Sequence, residues 1–292
     1  MADTLIHPTA DAPPPVEERR RPPRVRKTPV TYLLRFIVTA YLFFLVAWPV
    51  SLVVTHTFDN GWESIRSLLE DPDMVVALQL SAYVAVWSVL INTIFGVGMS
   101  LLLVRYEFPG KRLLNSLLDL PLSVSPIVVG LALVLVYGGR NGWLGPTFAS
   151  WGFDIIFSTP GIIMATTFVA LPLMIRELVP VLEEIGVEQE QAAQSLGASG
   201  LQRFWRITLP SIRWGIVYGV VLTLARSLGE FGAVKVVSGN ILGETRTATL
   251  AVEEKYLNWE QESAYAIAFL LASVSVLCII VVSLLRSRTE RH

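Results

Sequence analysis

Apolar residues run along this chain in long unbroken stretches, not in alternating or heptad patterns. Residues 36–55 carry no Asp, Glu, Lys or Arg over 20 positions, residues 74–104 none over 31, residues 120–139 none over 20, residues 155–175 none over 21 and residues 263–285 none over 23. About 20 apolar residues cross a bilayer core as a helix, so each run predicts a spanning helix. A further run, residues 211–239, is interrupted by Arg213, Arg226, Glu230 and Lys235. Read as one span, it requires Arg226 and Glu230 to face protein or water rather than lipid. The pattern predicts an all-α polytopic membrane protein with six spans, at about 33–55, 74–104, 118–138, 156–178, 211–239 and 263–285.

The cationic residues orient these spans. With six spans both termini share one side. Lys and Arg number six in the 1–30 tail, three in the 105–112 loop, three in the 183–213 loop and three after residue 285. The opposite loops hold Arg66, Arg140, Arg246 and Lys255. That is fifteen against four, which places both termini and the 105–112 and 183–213 loops in the cytoplasm. Without the 211–239 span the C-terminal arginines would lie outside, against the bias. Residues 1–30, with Pro13–Pro15, Pro22, Pro23 and a basic run from Arg19 to Lys27, read as a disordered cytoplasmic tail. Residues 31–292 read as the membrane domain, with a cytoplasmic coupling loop at 183–210.

Composition narrows the chemistry. Charged residues make up 16% of the chain, where a soluble domain carries about a quarter. The net charge of −1 says nothing about partners, and no nucleic acid is expected among them. The single cysteine, Cys278, allows neither an intrachain disulfide nor a thiolate metal cluster, and His7, His56 and His292 lie apart, so no metal site is expected. There is no G-x-x-x-x-G-K-[ST] loop, no H-E-x-x-H and no G-x-S-x-G, and no span holds a carboxylate pair. These absences leave a transporter or channel subunit rather than an enzyme.

Several positions inside the runs are candidates for function. Arg226 and Glu230 are four apart, on one face of a helix. They read either as an ion pair holding helices together or as a pathway wall, with Arg226 and its neighbour Ser227 meeting an anion. Lys235 reads either as a snorkelling anchor or as a funnel charge. Pro121, Pro126 and Gly130 in the third run allow a broken helix beside a pathway or a simple kink. The outer loops, 56–73 with its carboxylates and 138–153 with its glycines and Trp143, suit interfacial anchors or a docking surface.

Residues 188–210, EQEQAAQSLGASGLQRFWRITLP, are polar and rich in small residues between two apolar runs. Such a stretch belongs in water or against a partner. Ala192 and Ala193 let a short helix press into a groove, Gly197 suits the left-handed residue that ends a helix, and Pro210 suits the start of the next. Ala192, Ala193, Gly197, Ile207, Leu209 and Pro210 match the pattern E-A-A-x3-G-x9-I-x-L-P, with Gln191 in the first position and Glu190 one place earlier. The stretch resembles the cytoplasmic signature of permease subunits of ATP-binding-cassette importers.

The likeness covers about residues 31–286. LPLSVSPIVVGLAL, LPLMIRELVPVLEE, ARSLGEFGAVKVVSGNI and TRTATLAVEEKYLN look like the sulfate/thiosulfate permeases, with molybdate permeases as near relatives. The EEKYLN region is more similar to the W type of subunit than to its T-type partner. The resemblance implies a type I importer permease fold in a bacterial cytoplasmic membrane, embedded in lipid. It also implies a T-type permease partner in a heterodimer, two ATPase subunits and an extracytoplasmic sulfate-binding protein. This chain would then bind no cofactor, ATP and Mg being used by the ATPase. Molybdate or tungstate is the alternative cargo. A stand-alone secondary transporter is the rival class, but the spans lack an ion relay.

Overall fold

The computed structural model describes residues 29–59 and 61–289, with side chains up to residue 281. The basic tail through residue 28 and the side chains of the C-terminal arginines lie outside the described residues. Among the described residues all regular structure is helical. The chain divides into two units, residues 1–49 and 50–292. In the first, helix Pro29–Leu42 passes into a π-helical turn, Phe43–Ala47. These form the start of α1 (Pro29–Thr57).

The second unit continues with α2 (Glu63–Glu70), α3 (Pro72–Arg105), α4 (Lys111–Ser123), α5 (Pro126–Tyr137), α6 (Gly145–Ser150) and α7 (Thr159–Ile185). Then follow α8 (Glu188–Ser195), α9 (Gly200–Ser211), α10 (Arg213–Leu228), α11 (Gly232–Val237), α12 (Ala248–Leu257) and α13 (Gln261–Thr289). The helices α1, α3, α7 and α13 are each long and apolar enough to cross a membrane. The pairs α4/α5 and α9/α10 are bent by 112° and 68°, and counting each pair as one span gives six.

The third and fifth runs are therefore not straight helices. Val124 and Ser125 are extended, with ψ of 140° and 135°, which separates α4 from α5. Pro126 favours this: its ring disfavours the helical conformation at the residue before it and suits the first position of a new helix, although α7 carries Pro172 and Pro180 without breaking. The broken-helix alternative holds here rather than a kink. In the fifth run α10 stops at Leu228 and α11 starts at Gly232, so residues 211–239 do not form one continuous helix. The physical reason lies in Glu230, described below.

The helix α7 is the central post, packed most extensively on α3 and α10. Small residues bring these three together, as expected where lipid supplies no hydrophobic drive between helices. Met174 on α7 is fully buried. A Cβ on Gly96 of α3 would lie 2.4 Å from Met174 Cγ, and one on Gly219 of α10 would lie 2.5 Å from its Sδ. Toward one end, Val84, Val129, Ile162, Ala165, Val169, Ala233, Val234 and Leu250 form one apolar cluster joining α3, α5, α7, α11 and α12. Toward the other, Val97, Met174, Leu178, Leu182 and Ile212 form a second. A third cluster, with Leu68, Met74, Ala77, Ala248, Ala251 and Ile267, fixes α2, α12 and α13 against the start of α3.

Candidate functional site

The polar stretch folds as an elbow at the end where α3 and α7 finish. Gly186, with φ of 72°, closes α7 and turns the chain into α8. The helix α8 ends in a Schellman motif: Ala198 N–H donates to Ala193 O at 3.0 Å and Gly197 N–H to Gln194 O at 2.9 Å. Gly197 occupies the left-handed position, with φ of 86°. Ser199 then starts α9 with a reciprocal capping box, its hydroxyl accepting from Gln202 N–H while Gln202 Oε1 accepts from Ser199 N–H. Pro210 does not open α10. It sits in the last turn of α9, after a π-helical turn Phe204–Thr208, and Ile212 precedes the first residue of α10. Proline has no N–H for the carbonyl four residues back, and its ring crowds that carbonyl. The widened turn relieves both problems.

One guanidinium ties the elbow to the bundle. Arg105, the last residue of α3, has a side chain only 11% exposed. Its Nη1 donates to Leu182 O at 3.3 Å, and its Nη2 to Gly186 O at 2.6 Å and to Glu190 Oε1 at 3.2 Å. The same carboxylate oxygen accepts from Thr208 Oγ1 at 2.9 Å. Arg105 thus caps the C-terminal carbonyls of α7, where a cation is favoured, and holds α8 and through it α9. Glu190 faces inward to this network, whereas Gln191 is exposed beside it.

Three large apolar side chains of the elbow are exposed among its polar ones. Leu196, Leu201 and Trp205 are 89%, 70% and 60% exposed, and Ala192 is also exposed. Ala193, Ile207 and Leu209 are half-buried.

At the break between α10 and α11 Glu230 decides the geometry. Its side chain is 2% exposed and lies with Oε2 2.8 Å from Arg226 Nη1. Its Oε1 accepts from Ala233 N–H at 3.0 Å, capping the start of α11, and its carbonyl accepts from Thr249 Oγ1 at 2.8 Å. On a continuous helix the Ala233 N–H would be taken by the carbonyl four residues back, and the break frees it for this carboxylate. Arg226 retains 37% side-chain exposure, so the ion pair leaves part of the guanidinium accessible. Ser227 is buried beside it. Lys235 pairs with Glu253 of α12 and lies 5.3 Å over the Phe231 ring, and about half of its side chain stays exposed.

The structure thus brings Glu190, Ala192, Ala193, Gly197, Ile207, Leu209 and Pro210 into one elbow, and Arg226 and Glu230 into one pair. It sets Lys235 apart from that pair. Arg105, Thr208 and Thr249 were not singled out in the sequence. Arg105 stands there only as one of the cations of the 105–112 loop that orient the spans.

Residues 92–291 match the family model described as binding-protein-dependent transport system inner membrane component. The sulfate transport system permease protein CysW of Synechocystis is 48% identical over 263 residues, covering 90% of this chain and 95% of that one. The sulfate transport system permease protein CysT of Escherichia coli K12 is 34% identical over 244 residues, covering 84% of this chain and 88% of its own length. Among solved structures, a bacterial ABC transporter involved in import of the acidic polysaccharide alginate is similar with a TM-score of 0.73 at 16% identity, over 89% of this chain and 95% of that one.

Proposed function

This chain belongs to the family of binding-protein-dependent transport system inner membrane components, and from that membership we propose that it is the W-type permease subunit of an ATP-driven sulfate/thiosulfate importer. It is a non-catalytic membrane subunit. It pairs with a T-type permease and forms half of the pathway, in a bacterial cytoplasmic membrane with both termini cytoplasmic. Two ATPase subunits bind and hydrolyse ATP with Mg, and an extracytoplasmic binding protein delivers the oxyanion.

The observation that carries this reading is the elbow. An elbow of two short helices with three exposed apolar side chains, Leu196 after α8 and Leu201 and Trp205 on α9, lies at the ends of α3 and α7. Such a surface suits a partner rather than water. Closure of the ATPases on ATP would displace α8, and the spans would tilt with it; a rigidly docked element with two positions is what such coupling requires. Arg226 serves the pathway as an anion contact held in orientation by Glu230. The pair carries no net charge, so this contact depends on the free N–H edge of the guanidinium fork.

The test is sulfate uptake into vesicles holding the complex. Uptake should require the ATPase and ATP. Gly197→Trp, which places a bulky ring at the end of α8, should leave the chain inserted but uncouple hydrolysis from uptake. Uptake by this chain without any ATPase would overturn the reading.

A further inference from the structure

We propose that the cavity inside the elbow, between the end of α3 and the helices α8 and α9, binds a small tetrahedral oxyanion, sulfate or inorganic phosphate, across Arg105 and Arg203. The proposal goes beyond the permease reading above and rests on it only for the side of the membrane that supplies the anion.

The cavity has a volume of about 400 Å³. Its walls include Arg105 and Tyr106 at the end of α3, Glu190 and Gln191 of α8, and Gly200 and Arg203 of α9. Two arginines and one carboxylate are the charged residues that line it. The carboxylate is already engaged, since Glu190 Oε1 accepts from Arg105 Nη2 at 3.2 Å and from Thr208 Oγ1 at 2.9 Å. The lining therefore holds one positive charge in excess.

The two guanidinium groups also keep spare donors. Arg105 Nε and Arg203 Nε are both buried, and neither has a hydrogen-bond partner. Arg203 Nη1 donates to Gln194 Oε1 at 2.6 Å, and among the described residues its Nη2 makes no hydrogen bond. A Cβ on Gly200 would lie 3.9 Å from that Nη2, which sets the group beside another wall residue. The Nε/Nη2 edge of Arg203 is thus unspent. This edge presents two parallel N–H groups, the fork that matches two oxygens of a sulfate or phosphate.

A buried N–H without an acceptor is costly, and two of them on the walls of one cavity call for an acceptor that this chain does not supply. The excess positive charge selects an anion. The exposed side chains Leu196, Leu201 and Trp205 are not among the lining residues, so the apolar surface offered to a partner and the cavity are separate. In the structure Arg105 reaches α9 only through Glu190 and Thr208. An oxyanion between Arg105 and Arg203 would add a second tie between α3 and α9 and stiffen the elbow.

The experiment follows hydrogen exchange of the Gln191–Ser195 amides in the assembled importer without nucleotide. Sulfate and phosphate are compared with chloride at equal ionic strength. At ten times its dissociation constant either oxyanion should slow exchange by about tenfold, with a saturable dose dependence. Arg203→Gln should abolish the difference between oxyanion and chloride. If that variant does not assemble, Arg203→Lys keeps the charge but not the fork, and should raise the half-saturating concentration by at least about tenfold. No slowing by either oxyanion overturns the proposal. Equal slowing in Arg203→Gln also overturns it, because sulfate and phosphate stabilise compact states through exclusion from the surface. Protection in chloride that appears on adding the ATPase subunits, and is lost in Arg203→Gln, overturns it in favour of a partner's carboxylate. ATP-driven sulfate uptake by the same preparation in vesicles separates the two readings. Uptake without oxyanion-dependent protection sinks only the cavity site, while protection without uptake upholds the site and sinks the permease reading.

Discussion

Arg105 donates to the carbonyl of Gly186 at 2.6 Å, joining the last residue of one long helix to the residue that closes another. The same side chain reaches Leu182 O and Glu190, so α3, α7 and α8 meet at one guanidinium. On the reading proposed above, a displacement of α8 would be passed to two membrane helices through this side chain.

Arg105→Ala should therefore loosen α8 without unfolding the bundle. The loss is about 2–3 kcal/mol, between a charge-assisted hydrogen bond and a fully buried pair. Hydrogen exchange of the Gln191–Ser195 amides should rise by about tenfold to a hundredfold, since each 1.4 kcal/mol is tenfold. Arg105→Lys keeps the charge but not the fork, and should recover only part of the protection. Unchanged exchange in Arg105→Ala would show that other contacts hold the elbow.

Gly197 tests the elbow's turn separately from its docking. A Cβ there would meet nothing within 4 Å, so substitution costs only the left-handed backbone at φ of 86°. Gly197→Ala should cost about 1–2 kcal/mol locally, and Gly197→Asn less. The readout is again exchange at the end of α8. Equal protection in the Ala and Asn variants would contradict a backbone origin.

Much of the membrane domain was legible because lipid imposes one simple rule on long segments. The run at 74–104 contains no charge, and α3 extends it by only a few residues. The helix α7 continues to Ile185 through Arg176, Glu177, Glu183 and Glu184, where hydropathy no longer reports it. Pro126 signals a disturbance, but whether the helix kinks or breaks depends on Gly232 packing against it from more than a hundred residues away. The second break was hidden by Leu228, Phe231, Ala233 and Val234, which continue the apolar pattern straight through it. What decides it is the need of a buried carboxylate for donors. Gly197 was readable because its role is local. Arg105 was not, because Glu190 lies 85 residues on and no spacing rule links them.

The Gly96–Met174–Gly219 contact makes a prediction about helix approach. Gly96→Ala would put a Cβ 2.4 Å from Met174 Cγ and 2.9 Å from its Cβ, near the root of the side chain. Gly219→Ala meets Sδ at 2.5 Å, toward the flexible end. Gly96→Ala should cost about 1–2 kcal/mol net, an overpacking penalty reduced by better helix propensity, and Gly219→Ala should cost less. In a double-mutant cycle Met174→Ala should cancel the Gly96→Ala penalty, giving a coupling of at least about 1 kcal/mol. Additive effects in thermal unfolding of the assembled complex would rule out this contact as the cause.

The Arg226–Glu230 pair should respond unequally to loss of either partner. Glu230 is 2% exposed and Arg226 37%, so removing the arginine strands a charge that cannot reach water, whereas neutralising the glutamate leaves a cation that can. Arg226→Ala should destabilise the complex by about 3 kcal/mol, the low end for an uncompensated buried charge. Glu230→Gln keeps an oxygen that can accept from Ala233 N–H, and should cost about 1 kcal/mol. Glu230→Ala loses that cap as well and should lie between the two. The double variant Arg226→Ala/Glu230→Gln should recover most of the arginine penalty, because no charge is then left unpaired. If thermal unfolding of the complex finds Glu230→Gln costlier than Arg226→Ala, the arginine is the more buried partner in the assembled protein. If the double variant regains stability but not sulfate uptake, the guanidinium acts on the anion itself and not only on Glu230.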